Sequence, residues 1–144
     1  MTGADRDEMV AVAHAHAAAE AARDLEATMA TLDDDPLYEL LPMSVGLRGR
    51  SMARRYYEHF FAECMAKMTG YQLRSEWVTD EGVGQEYQLF LDAPGGPTRH
   101  DIIGILTFGT DGRLSGERIY ASDALLRFFF GPLLDEAVPL RDGS

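Results

Sequence analysis

Cysteine is almost absent from this chain of 144 residues: Cys64 is the only one, so no internal disulfide can form. It falls in a helical pattern beside Phe60 and Phe61, and reads as a buried, reduced thiol of a cytoplasmic protein. Positive charge is also scarce. Thirteen Lys and Arg stand against 24 Asp and Glu, a formal net charge of −11, and no run of basic residues makes a stripe. Nucleic acid and anionic membrane both need clustered positive charge, so both are excluded as expected partners. No apolar stretch approaches the roughly 18 residues of a membrane span. The longest apolar feature, Phe128-Phe129-Phe130 with Pro132-Leu133-Leu134, is far too short. The chain opens on Asp5, Asp7 and Glu8, the wrong sign for a signal peptide. No metal-ligand spacing occurs. His14 and His16 lie two apart and would face different sides of a helix, His59 stands among aromatics, and neither metal nor cofactor is expected. Gly95-Gly96 between prolines is a turn, with no strand-to-helix context for a phosphate loop, and no nucleophile elbow is present.

What is present is the composition of an ordinary globular protein, 46% hydrophobic and 26% charged. The length suits one domain over 1–144, with 135–144 expected as a flexible tail. An alanine-rich pattern predicts a helix from about Asp5 to Leu32, stopped by Asp33-Asp34-Asp35-Pro36. A short strand, Leu37 to Leu41, follows, and Gly46 and Gly49 mark a loop. Apolar residues every four positions predict a second helix from Ser51 to Met68, with Ser51 as its cap and Gly70 at its end. The period then becomes two. Strands are predicted over Tyr71–Thr79, Val83–Leu91, Thr98–Phe108 and Arg113–Ala121, separated by Glu81-Gly82, Pro94–Pro97 and Asp111-Gly112. Ser122 caps a last short helix carrying Leu125, Leu126 and Phe129.

These elements predict an α+β fold, with a curved antiparallel sheet forming a cone-shaped barrel and helices packed on its concave face. The Thr98–Phe108 strand is apolar on both faces: Ile102, Leu106 and Phe108 on one, Ile103 and Ile105 on the other. Helices cover one side only, so the convex side is expected to meet a second copy in a homodimer.

The stretch Pro36-Leu37-Tyr38-Glu39-Leu40-Leu41-Pro42, with Gly49 before a helix containing Tyr56-Tyr57, resembles the nuclear transport factor 2-like superfamily. Gly104-Ile105-Leu106-Thr107-Phe108, Asp111-Gly112-Arg113-Leu114 and Glu117-Arg118-Ile119-Tyr120 are similar to its SnoaL-like polyketide cyclase branch. The resemblance covers about residues 8 to 131. It implies a pocket at the wide end of the cone, in a superfamily that holds cyclases, isomerases, hydrolases and non-catalytic binders. The cyclase branch's His and Asp would fall at Gly104 and Ile119, neither of which moves a proton. A two-residue Asp111-Gly112 turn independently sets Gly104 opposite Ile119. In the epoxide-hydrolase pattern Tyr38 matches a pocket tyrosine, but Leu40, Glu86, Gln88 and Ile119 replace the remaining polar set.

The residues leave other acids. If the Pro94–Pro97 loop is centred near Gly95, Glu86 projects over Gly104 and serves as a general acid–base group, with Tyr38 donating a hydrogen bond to a carbonyl. Simple alternation instead makes Val83, Tyr87, Leu89 and Leu91 the inner face and sends Glu86 and Gln88 to solvent. Glu117 shares a face with Ile119, opposite Leu106, and either looks into the pocket or pairs with an arginine of a second copy. His100 lies too far along its strand to join Glu117, and Asp123 is its expected partner. Tyr56, Phe60, Ile102, Gly104, Ile119 and Gln88 are the expected substrate contacts. Three readings follow. The first is a cofactor-independent enzyme doing acid–base chemistry (cyclisation, isomerisation or hydration) on an apolar, polyketide-like or carbonyl substrate. The second is a non-catalytic binder of a hydrophobic small molecule. The third is a protein-interaction module using Leu125–Leu134 or the outer sheet.

Overall fold

The computed structural model describes residues 3–140. Helix α1 spans Gly3–Ala21 and α2 Leu25–Ala30, where the sequence pattern had predicted one helix. Arg23 adopts a left-handed φ of 54°, and the Asp24 side chain accepts a hydrogen bond from the Ala27 N–H at 3.0 Å, starting a new helix. Strand β1 then begins at once and covers Leu32–Leu41. Its irregular first half is held by Arg50, which donates to the Leu32 and Asp33 carbonyls.

The glycine-marked loop contains a strand, β2, Val45–Arg48, paired antiparallel with β1. Gly49, with φ at 99°, is the cap of α3, Arg50–His59, so Ser51 lies inside the helix rather than at its cap. The second predicted helix is interrupted. After His59 the backbone widens into a π turn, Phe60–Cys64, and a short 3-10 turn, Met65–Lys67. The Met65 N–H bonds to the Phe60 carbonyl, five residues back, so both side chains reach the same cavity.

Strands β3 (Met68–Thr79), β4 (Gly82–Leu91), β5 (Thr98–Phe108) and β6 (Leu114–Tyr120) form the meander. Gly70, expected as a helix end, is inside β3. Ser122 caps α4, Asp123–Phe130, accepting from the Leu125 N–H at 3.1 Å. A 3-10 turn, Gly131–Glu136, leads to the two-residue strand β7, Val138–Pro139, on β2. Of the tail expected over 135–144, residues 141–144 lie outside the described residues.

The sheet order is β3-β4-β5-β6-β1-β2-β7. It is curled but not closed, and one pair, β1 with β6, is parallel. Gly104 pairs with Ile119 as expected, by a different route. The turn holds three residues, bounded by the Gly109 N–H to Arg113 carbonyl bond of 2.9 Å, and a bulge between Thr107 and Phe108 restores the register. The core, including Tyr57, Leu40, Ile102, Leu126 and Phe130, fills the concave side under α1, α3 and α4. Cys64 is fully buried, with its Sγ 3.3 Å from the Phe128 carbonyl, and burial pushes its thiol up to about 12. Among the described residues no helix is long and apolar enough to cross a membrane.

Candidate functional site

A cavity of about 300 Å³ opens between α1, α3 and the concave faces of β4, β5 and β6. Most of its wall is apolar. Ala13, Ala17 and Ala21 recur every four residues along α1, so along that stripe the helix lies over the cavity with only methyl groups between. Aromatic rings make much of the rest. Tyr56, stacked on Phe130 with ring centroids 4.2 Å apart, and Phe60 come from α3 and its π turn. Tyr87 of β4 and Tyr71 of the edge strand β3 pair at 5.2 Å.

Glu117 projects into this space from β6. It sits opposite Leu106, and one of its oxygens takes the place a side chain at Gly104 would fill, 2.4 Å from an ideal Cβ there. The missing side chain at Gly104 is therefore the seat of the Glu117 carboxyl. Burial raises that carboxyl from 4.5 to about 7, the negative charge of Glu20 adds to the shift, and His16 opposes it. Glu117 has no hydrogen-bond partner among the described residues. Those residues contain no enclosed side-chain nitrogen or oxygen left unsatisfied; the Glu117 carboxyl faces the cavity instead.

Across from it, α1 supplies a polar pair at i and i+4. His16 Nε2 lies 2.5 Å from Glu20 Oε1. The Thr31 hydroxyl donates to the Thr28 carbonyl at 2.7 Å, so its oxygen accepts from His16 Nδ1–H, also at 2.7 Å. Burial alone would lower the His16 pKa. The charge and hydrogen bond of Glu20 outweigh it, and the net shift is upward, toward imidazolium. The Tyr57 hydroxyl lies 3.1 Å from His16 Nε2 and 2.6 Å from the Tyr38 hydroxyl. Burial raises both tyrosines well above their ordinary value, so they act as neutral hydrogen-bonding groups.

The residues expected from sequence are only partly brought together. Glu117, Tyr56, Phe60 and Ile119 line the cavity. Tyr38 lies behind the wall, 3% exposed, with its hydroxyl on Tyr57. Ile102 is buried in the core and Gly104 lies beneath Glu117. The placement of Glu86 over Gly104 is corrected. Gln85 pairs with Gly104, while Glu86 pairs with Ile103 and Gln88 with Asp101 on the outer face. Leu91 pairs with Thr98, which centres the loop between Pro94 and Gly95 and not on Gly95. That half-residue difference reverses every side chain of β4. His100 is bonded to Thr98 at 2.9 Å and stands outside the cavity. Asp123, its expected partner, pairs with Arg127 at 2.6 Å.

Sequence reasoning weighed His16 only as half of a metal pair with His14, and passed over Glu20. Their signal was present as a histidine and an acid at i and i+4, on the same stripe as three small residues. Gln85, another missed polar lining residue, donates to Glu76 at 2.8 Å. No group of three or more His, Cys, Asp or Glu suited to a metal ion occurs among the described residues.

Comparison with solved structures identifies the architecture as nuclear transport factor 2-like. An NTF-2-like protein of unknown function from Burkholderia xenovorans LB400 superposes with a TM-score of 0.65 at 23% identity, over 84% of this chain and 88% of that one. A candidate isomerase from Bacillus subtilis gives 0.66 at 16% identity, over 91% and 96%. A candidate ketosteroid isomerase from Kribbella flavida DSM 17836 gives 0.67 at 18%, over 83% and 81%. At these identities the likeness is one of fold. No protein-family model and no curated protein sequence matches the chain.

Proposed function

We propose that the protein is a cofactor-independent enzyme that moves a proton within an apolar small molecule, an isomerisation- or cyclisation-type reaction with Glu117 as the acid–base group. One observation carries the reading: an unpartnered carboxyl, raised to about 7, inside an apolar cavity of substrate size. A group of that pKa exists in both forms near neutral pH, so it can take a proton in one step and return it in the next. On a carbonyl substrate, Glu117 as carboxylate removes the proton from the carbon next to the carbonyl. The C–H electron pair becomes a C=C bond and the carbonyl oxygen gains negative charge. The Tyr57 hydroxyl, on the facing wall, would donate to that oxygen, with His16 and Glu20 behind it. Glu117 as the acid then delivers the proton to another carbon. The fold neighbours described as candidate isomerases agree with this class of chemistry.

The test is a screen of polyketide-like phenols, cyclic ketones and sterols by thermal shift, followed by turnover. Glu117→Gln should keep binding and lose about 10²–10⁴-fold in rate, and wild type should show a rate midpoint near pH 7. A ligand that binds without turning over would support the alternative, a binder of hydrophobic small molecules. Full activity in Glu117→Gln would refute the acid–base assignment.

We also propose that the outer sheet face joins two copies. Trp77 lies across Gly84, and Ile103 sits between Glu86 and Tyr120. Trp77, Ile103 and Tyr120 are 39, 37 and 42% exposed.

A further inference from the structure

Two carboxylates line the cavity from opposite walls, Glu20 on α1 and Glu117 on β6, and each feels the other's charge. Among the described residues the wall contains no Lys or Arg. Its one basic side chain, His16, is already paired with Glu20 at 2.5 Å. When Glu117 ionises, the lining therefore carries one negative charge that no group of the chain answers. Buried charges are ordinarily paired, and here the cavity is the only place left for the partner. The surrounding surface suits a cation as well. Tyr56, Phe60, Tyr71, Tyr87 and Phe129 line the space, and aromatic faces attract positive charge. A net charge of −11 would also draw cations toward the molecule.

We propose that the ligand of this pocket is an apolar amine, whose cationic nitrogen meets Glu117 while its carbon frame fills the aromatic wall. The inference rests on the proposed function in one respect only, that Glu117 faces the bound molecule, and it names the substrate class. A bound cation favours the carboxylate form of Glu117.

The direction of the pH dependence follows from the groups around Glu117. Below its midpoint the carboxyl is protonated and offers a cation nothing. His16, protonated more completely at low pH, opposes the cation further. Tyr38, Tyr57 and Tyr87 stay neutral throughout the range, and Glu20 remains tied to His16. Amine affinity should therefore rise from pH 5 to pH 8.

The test compares 1-methyl-4-benzylpiperidine with its uncharged oxygen isostere, 4-benzyltetrahydropyran, by isothermal titration calorimetry. The amine should bind at least about tenfold more tightly than the ether at pH 8, and the preference should shrink at pH 5. At pH 7, runs in buffers of different ionisation enthalpy should show release of about half a proton, since the midpoint is about 7. Glu117→Gln should still bind the ether but lose both the preference and the proton release. An ether that binds as well as the amine, a preference that survives in Glu117→Gln, or no binding of either probe at millimolar concentration would each overturn the inference. An NMR titration of the carboxyl separates this failure from that of the acid–base reading. A midpoint near 7 without amine preference removes only the amine. A midpoint at the ordinary carboxylate value removes the acid–base role too.

Discussion

Glu117 is costly to ionise where it stands, and that cost is measurable without any substrate. Its carboxyl titrates at 4.5 when unfolded and at about 7 when folded. Between those values the folded chain binds more protons than the unfolded one, so stability falls as pH rises, and the loss is complete above about pH 7. The difference corresponds to about 3 kcal/mol. Glu117→Gln removes the ionisable group and loses no protein hydrogen bond found among the described residues. It should gain up to about 3 kcal/mol on wild type between pH 4.5 and pH 8, measured by urea denaturation at each pH. The His16 pKa is also raised, and it lowers stability in the same direction as pH rises. Part of that His16 shift comes from the charge of Glu117, so the difference between the two proteins reports Glu117 together with its coupling to His16. A constant difference across the range would mean that the carboxyl is not buried as described. At this scale the sequence was half legible. Alternation placed Glu117 beside Ile119, and the hairpin argument placed Gly104 opposite Ile119. Neither could show that Gly104 seats Glu117, because the register puts Leu106, not Gly104, opposite Glu117, and the diagonal contact is set by which way that side chain leans.

The elements were more legible where a turn residue marks each boundary. The ends of β5 match its predicted strand, β4 differs from its own by one residue at one end and β6 by one at each end, because Gly82, Pro97 and Gly112 punctuate them. Two of the failures share one cause: a local signal read as a stop when tertiary pairing carries the chain through it. Asp33–Pro36 lies inside β1, and Gly46 inside β2. Gly116 lies inside its predicted strand, and the backbone there is packed most tightly. Its φ is +147°, and a Cβ there would lie 1.8 Å from the Leu37 carbonyl oxygen, at the start of the parallel β1–β6 pairing. No side chain rotation relieves a clash with backbone. Gly116→Ala should destabilise the fold by about 3 kcal/mol or more, whereas Gly95→Ala, which meets nothing within 4 Å, should stay within about 0.5 kcal/mol. Chemical denaturation of the pair checks this. Equal effects would mean that β1 and β6 tolerate separation at Gly116.

For the whole molecule, the decisive feature is the convex face of the sheet, which the helices leave bare. Apolar residues on both sides of β5 lead to this expectation from sequence alone, and the exposure of Ile103, Trp77 and Tyr120 supports it. Charge supplies the argument for a second copy over an unrelated partner. Glu86 pairs across the sheet with Ile103, and Arg118 with the adjacent Ile105. Neither makes a salt bridge among the described residues. In a two-fold dimer each patch meets itself, so the Glu86 of one copy can answer the Arg118 of the other, twice over. On this proposal Glu86 acts on the face where the register puts it. Wild type should sediment as a dimer at micromolar concentration, and Ile103→Glu, which places a carboxylate at the centre of the patch, should sediment as a folded monomer. The cavity lies on the opposite face, so the monomer should retain ligand binding. A wild-type monomer would remove the dimer. A dimer that survives Ile103→Glu would move the interface to another surface, leaving the exposed Trp77, Ile103 and Tyr120 for a different partner.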